Sequence, residues 1–162
     1  MLTMKGKYGI KAMISLASLS KDELVQSSAI AEANGIPKKF LDAILSELRV
    51  AGFVDSRKGR SGGYLLLKSA KEIMIADILR VVDGPIAPLQ CVSKTAYQKC
   101  ADCRTQETCE IRLLMLEVRD QMLSVLEHRS LADLVEAGSM ARRIYETMRL
   151  DGAVKPPDAQ PG

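Results

Sequence analysis

The stretch "GIPKKFLDAILSELRVAGFV", residues 35–54, decides the fold. Pro37 opens a helix there, because its missing N–H would lack a partner in the first turn anyway and its fixed φ suits that position. Phe40, Leu41, Ile44, Leu45 and Leu48 fall on one apolar stripe at helical spacing, while Lys38, Lys39, Asp42, Ser46, Glu47 and Arg49 occupy the other face. Just upstream, "SSAIAEANG", residues 27–35, reads as a shorter helix with Ser27 or Ser28 as N-cap. It stops at Asn34-Gly35, residue types that accept a left-handed C-terminal conformation. A short helix, a tight glycine turn and a longer helix with a polar outer face form a helix-turn-helix pattern.

Working outward, "GFVDSRKGRSGGYLLL", residues 52–67, holds two short β-capable runs, Phe53 to Asp55 and Tyr64 to Leu67, around a glycine-rich basic tip. A hairpin here is the wing of a winged helix-turn-helix. Arg57, Lys58 and Arg60 supply charge for phosphates or a narrow minor groove. On the N-terminal side, Ile10, Met13, Ile14 and Ala17 mark an amphipathic helix over residues 4–19, approached by Lys5 and Lys7. "MIADILRVVDG", residues 74–84, reads as another short helix ending at Gly84-Pro85. Four segments result: a winged DNA-binding domain at 1–83, a cysteine-rich loop at 84–109, a long helix and a short return helix at 110–138, and a partly disordered tail at 139–162.

The long helix spans Glu110 to about Arg129 and has two apolar stripes. One holds Ile111, Leu114, Val118, Met122 and Val125; the other holds Leu113, Leu116 and Leu123. Such a helix must be covered twice, so the expected arrangement is a homodimer through it; the alternative is a central helix of a monomer. "SLADLVEAG" starts the last short helix with Ser130 as N-cap, and residues 139–150 are expected to add a turn or two.

The composition agrees with a mainly α protein. Of 162 residues, 47% are hydrophobic but only 4% aromatic, with no Trp, which implies an aliphatic, Met-filled core. The formal net charge is +3, unevenly spread: residues 1–70 carry 11 basic and 6 acidic residues, and the remainder 12 and 14. The basic half is the candidate for a polyanionic partner. No apolar run approaches the roughly 20 residues needed to span a bilayer, and the N-terminus lacks a signal-peptide core, so a cytoplasmic protein without a membrane partner is expected. An enzyme is not expected: there is no phosphate loop, no nucleophile-base pattern and only one histidine, His128, which reads as a helix-end surface residue.

All four cysteines fall within "CVSKTAYQKCADCRTQETCE", residues 91–110, as C-x8-C-x2-C-x5-C. Thiols in a cytosolic protein stay reduced, which favours metal binding or redox sensing over permanent disulfides. Thiolates suit zinc or iron, and Cys91, Cys100, Cys103 and Cys109 are close enough in sequence to surround one centre. Structural zinc commonly uses two C-x2-C pairs, whereas this chain offers one, so the spacing leans toward an iron-sulfur cluster. Zinc and a metal-free thiol switch remain alternatives.

In order and spacing, "LTMKGKYGIKAM", "GIPKKFLDAILSELRVAGFV", "GRSGGYLL", "ADILRVVDGP" and "SLADLV" together resemble the Rrf2 superfamily of bacterial winged-helix regulators, which includes the IscR, NsrR and RirA types. The likeness covers residues 1 to about 138. It implies a dimeric regulator binding double-stranded DNA, with the long helix as dimer seam. It also implies a cluster responding to iron-sulfur status, nitric oxide, iron or redox stress. Asp42 matches a residue that touches bases, and Lys58 a basic residue that enters the minor groove, where the IscR type has Arg. Lys lacks the planar fork, so a different DNA preference is expected. Lys5, Lys7, Lys38, Lys39, Arg57 and Arg60 are the expected phosphate contacts.

The IscR type uses three cysteines, the last two with five residues between them, and a histidine three residues after the last. Cys103 and Cys109 keep that spacing and Cys91 takes the first place. Arg112 stands at the histidine position, where it cannot serve. Cys100, inside a longer loop, is the simplest fourth ligand; a ligand from elsewhere or a small molecule is the other option. The choice between 2Fe-2S and 4Fe-4S stays open, as does a reading of another class, a cluster carrier or interaction module that does not bind DNA.

Overall fold

Gly6 decides how closely the first helix packs. In the computed structural model, which describes residues 2–20, 23–59, 61–103 and 105–150, α1 (Met4–Ala17) lies against α4 (Ile75–Val82). A Cβ at position 6 would lie 2.2 Å from Oδ2 of Asp83, the residue just after α4. Thr3 caps α1 by accepting from the Gly6 N–H at 3.2 Å, and its own N–H donates to Asp83 at 3.0 Å. The start of α1 is thus fixed to the end of α4 across 80 residues of sequence.

Between them, α2 (Ser27–Asn34) and α3 (Lys38–Val50) form the helix-turn-helix. Gly35 sits at φ 62°, ψ 38°, the left-handed conformation that ends α2 and that a side chain would strain. Ser27 is the first helical residue rather than the cap: Gln26 holds the cap position and makes no side-chain capping bond. Met13, Ile30, Leu41, Ile44, Leu45, Leu48, Ile73, Ile78 and Leu131 are essentially inaccessible and form one core. Phe40 departs from its predicted stripe. It is 41% exposed and meets Tyr8 edge-on at 5.8 Å, because its position on α3 looks past the core toward the flank of α1.

The wing is a two-stranded antiparallel sheet, β1 (Val54–Arg57) with β2 (Gly63–Leu66), in register Val54 to Leu66 and Arg57 to Gly63. Each strand is offset by a residue or two from the sequence reading. Val25 adds one bridge on the far side of Tyr64, anchoring the wing to the approach of α2. Arg60, at the tip, lies outside the described residues.

After α4 the chain passes through a 3-10 turn, Gln90–Val92, to α5 (Glu110–Leu126), then returns as α6 (Leu131–Leu150). The return is tied down by backbone bonds from Leu131 to Ile73 at 2.8 Å, Ala132 to Ala70 at 3.0 Å and Ile75 to Arg129 at 2.9 Å. Ser130 caps α6, as expected, accepting from the Asp133 N–H at 3.1 Å while its own N–H donates to the Asp133 carboxylate at 2.8 Å. The helix is longer than the short return helix expected. It runs 20 residues because Gly138, surrounded by good helix formers, costs only about 1 kcal/mol and does not stop it. Residues 151–162, expected to be disordered, lie outside the described residues.

Candidate nucleic-acid interface and cysteine centre

The outer face of α3, the N-terminus of α2 and the wing enclose a groove of about 550 Å³. Lys38, Arg49, Arg57, Lys58, Ser27, Ser28 and Tyr64 line it. Lys38 and Arg49 are eleven residues apart, three helical turns, and so fall on one side of α3. Lys7 on α1 and Lys39, next to Lys38 on α3, are exposed. Arg49 was not among the predicted contacts. Its place on the polar face of α3 was visible in the sequence, but not that the wing would fold beside it.

Two predicted phosphate contacts are engaged within the chain. Lys5 donates to both carboxylate oxygens of Glu47 at 2.8 Å, a pairing invisible in sequence because 42 residues separate the partners. Lys38 donates to Asp42 at 2.7 Å. That bond holds the Asp42 carboxyl below its usual range; partial burial opposes the effect, and a Ser27 hydroxyl contact adds to it. Asp42 therefore presents an ionised, acceptor-only group beside the groove, the type that accepts from the N4 amino group of cytosine.

Cys103 stands near two other cysteines. Cys103 and Cys109 have their sulfurs 4.0 Å apart. The donor atoms of Cys100, Asp102 and Cys103 all lie within 4.8 Å of one another. Cys91, only 3% exposed in the 3-10 turn, is the most buried of the four. Burial, reinforced by the neighbouring Cys100 thiol, pushes the Cys91 thiol up, while the Arg112 guanidinium pulls the other way. Cys103 is raised by burial and by Cys109. Metal binding here must therefore displace protons. Two thiolates on one tetrahedral ion stand about 3.8 Å apart at ordinary zinc–sulfur distances, so the 4.0 Å separation of Cys103 and Cys109 suits a shared metal. Asp102, exposed beside the pair, is a donor that sequence spacing did not suggest.

Arg112, at the expected histidine position, donates to the Cys91 carbonyl at 3.4 Å. Arg119 donates to the Val92 carbonyl at 2.7 Å. His128 is exposed, its Nδ1 2.9 Å from the Ser124 carbonyl at the end of α5, as a surface residue should be. On α5, Leu123 is buried against the body while Ile111, Leu113, Leu114, Val118 and Val125 are exposed. The two stripes are not as predicted in detail. Met122 is half-buried, lining an apolar pocket with Leu2, Ile10, Leu79 and Leu126, and Leu113 points outward.

A helix-turn-helix flanked by a hairpin wing, with a cationic groove between them, is the architecture of a winged-helix DNA-binding regulator. Comparison with known proteins places it more closely. Residues 2–137 match the family described as Rrf2, iron-dependent transcriptional regulator. An rrf2-like HTH-type transcriptional regulator of Rhodobacter capsulatus is 42% identical over 149 residues, covering 90% of this chain and 99% of that protein. The HTH-type transcriptional regulator IscR of Photorhabdus laumondii is 33% identical, over 83% of this chain and 78% of the other. The structure of CymR, the global cysteine regulator of B. subtilis, superposes with a TM-score of 0.69 at 31% identity, covering 85% of this chain and 97% of that one. The chain belongs to the Rrf2 family: it is a transcriptional regulator and not an enzyme.

Proposed function

We propose that the protein is a cytoplasmic homodimer that grips duplex DNA through α3 and the wing and reports iron-sulfur, nitric oxide, iron or redox status through a cluster held by Cys91, Cys100, Cys103 and Cys109. The observation that carries this reading is Cys103, 4.0 Å from Cys109 and within 4.8 Å of Cys100, with Cys91 buried in the turn packed on α5, all outside the hydrophobic core of the winged domain. When bound, the cluster supplies a centre whose oxidation state or integrity changes with the cell's redox and iron supply. The chain's own part is mechanical. Cys91 sits in a turn packed on α5, the helix whose exposed Ile111, Leu114, Val118 and Val125 suit a second copy. Movement of that turn would alter how two copies present their half-site readers. Lys7, Lys39, Arg49, Arg57, Lys58 and Arg60 would contact phosphates, with Asp42 and Lys58 adding sequence preference.

Anaerobic purification followed by absorption spectroscopy and iron and sulfide analysis tests the cluster. Coloured protein with iron and sulfide is expected. Colourless protein with stoichiometric zinc would end the cluster reading and leave the DNA reading intact. For the latter, duplex titrated at low and high salt should show a steep salt slope, which a cluster carrier would lack.

A second reading is favoured by the 4.0 Å separation of Cys103 and Cys109: a thiol switch in which these two close a disulfide without metal. The likeness to CymR, described as a global cysteine regulator, fits a thiol-based signal. Mass spectrometry of alkylated thiols before and after peroxide separates the two readings.

A further inference from the structure

Two arginines of α5 reach back to the turn that carries Cys91. Arg119, its side chain only 12% exposed, donates Nη1 to the Val92 carbonyl at 2.7 Å and turns Nε and Nη2 to Asp120 Oδ1 at 2.9 and 2.7 Å. Arg112, seven residues or about two turns earlier on the same side of α5, donates to the adjacent Cys91 carbonyl in a longer 3.4 Å bond. The Gln90 carbonyl is used inside the loop, accepting from Ser93 at 3.1 Å and Gln98 at 3.2 Å. The next two carbonyls thus serve the dimer helix instead of the loop. A guanidinium this far from water is costly unless its donors are satisfied. Nη1 is satisfied on the Val92 carbonyl, so that donor stays paired only while the turn stays docked, whereas Nε and Nη2 keep Asp120 in either case.

We propose that Arg119, backed by Arg112, is the positioning residue for the first cysteine: it pins the Gln90–Val92 turn to α5. The pin holds Cys91 opposite Cys100 before any metal arrives and makes the turn and the helix move together. The consequence for metal binding rests on reading the cysteines as one metal-thiolate site; the pin itself does not. Neither arginine needs to touch a metal for this role. Lys94, 3.9 Å from Asp120, adds a weaker tie between the same loop and helix.

The test uses the full chain, reduced, metal-free and anaerobic. Maleimide labelling is followed at each cysteine by peptide mass spectrometry, and Co2+ is titrated in parallel with the thiolate-to-cobalt charge-transfer band as readout. In the wild type, Cys91 should label slowest of the four. In Arg119→Ala its rate should rise about tenfold or more, the weight of one hydrogen bond to a charged group, with Cys100, Cys103 and Cys109 within about twofold of their wild-type rates. Co2+ affinity should fall by a similar factor. Arg119→Lys should lie between, because an ammonium can reach the carbonyl but cannot also bridge to Asp120. An unchanged Cys91 rate in Arg119→Ala, or equal acceleration at all four thiols, overturns the pin. If Co2+ gives no thiolate band even in the wild type, the metal reading fails, and the labelling rates still decide the pin.

Discussion

Lys39, the second residue of α3, sits at the wrong end of that helix's dipole. The first turn of α3 carries Lys38 and Lys39 and no acidic residue, although cations near a helix N-terminus are disfavoured by about 0.3–1 kcal/mol each. A fold selected only for stability would place carboxylates there; phosphate attraction gives a reason to accept lysines. Lys39→Gln is therefore expected to raise the melting temperature by up to about 3 °C. It should also weaken binding to specific and random duplexes alike, and lower the slope of log affinity against log salt by about 0.9. Calorimetry and fluorescence anisotropy at several salt concentrations check both halves. Asp133 gives a prediction of a different kind. The Ser130 N–H, then the Ser130 hydroxyl contact, hold its carboxyl below the ordinary 3.8, against slight desolvation. A carboxyl with a depressed folded pKa stabilises fully above its unfolded value, and that contribution fades as pH falls through the folded one. The melting-temperature gap between wild type and Asp133→Asn should thus be flat at neutral pH and close below about pH 4.

At the scale of elements, α5 and α6 differ in what the sequence could say about them. Helical spacing announced α5 and its excess of apolar surface, but periodicity reports only which residues share a face, not what that face meets. Leu123 turned inward and Leu114, 57% exposed, outward. Leu114→Asp is expected to convert the proposed dimer to a monomer in sedimentation velocity at micromolar concentration, while single half-site binding persists at low affinity. Gly138 lies inside α6, where an added Cβ would meet nothing within 4 Å. Gly138→Ala should accordingly add about 0.5–1 kcal/mol to stability and increase helical ellipticity. The same glycine is why the sequence suggested a short helix: a breaker in local terms was tolerated by neighbours that favour helix.

Across the whole molecule, the cysteine segment packs on α5 outside the core cluster. Cys91 and Val92 are buried but stand apart from the core that joins α1 to α4 with Leu131. Removing the proposed centre with a chelator under anaerobic conditions should therefore leave far-ultraviolet dichroism nearly unchanged. It should alter operator affinity by a factor between about 5 and 150, the usual range of coupling between two sites in one protein. Unchanged affinity after complete loss of iron would show that the metal does not regulate DNA binding and would leave only the metal-free thiol switch.

The amino-acid sequence by itself determined the helix-turn-helix, the wing and the thiol set, because each rests on local chemistry. Pro37 and Gly35 punctuate, the leucines of α3 repeat at helical spacing, and four cysteines lie within 19 residues. Only the tertiary structure decided that Lys5 is paired with Glu47, that Phe40 stays outside the core and that Arg49 looks into the groove. It alone decided, too, that Arg112 and Arg119 hold the carbonyls beside Cys91. These contacts join residues up to 42 positions apart. Spacing along the chain fixes which side chains share a surface, whereas the neighbour across that surface is chosen by how whole elements pack.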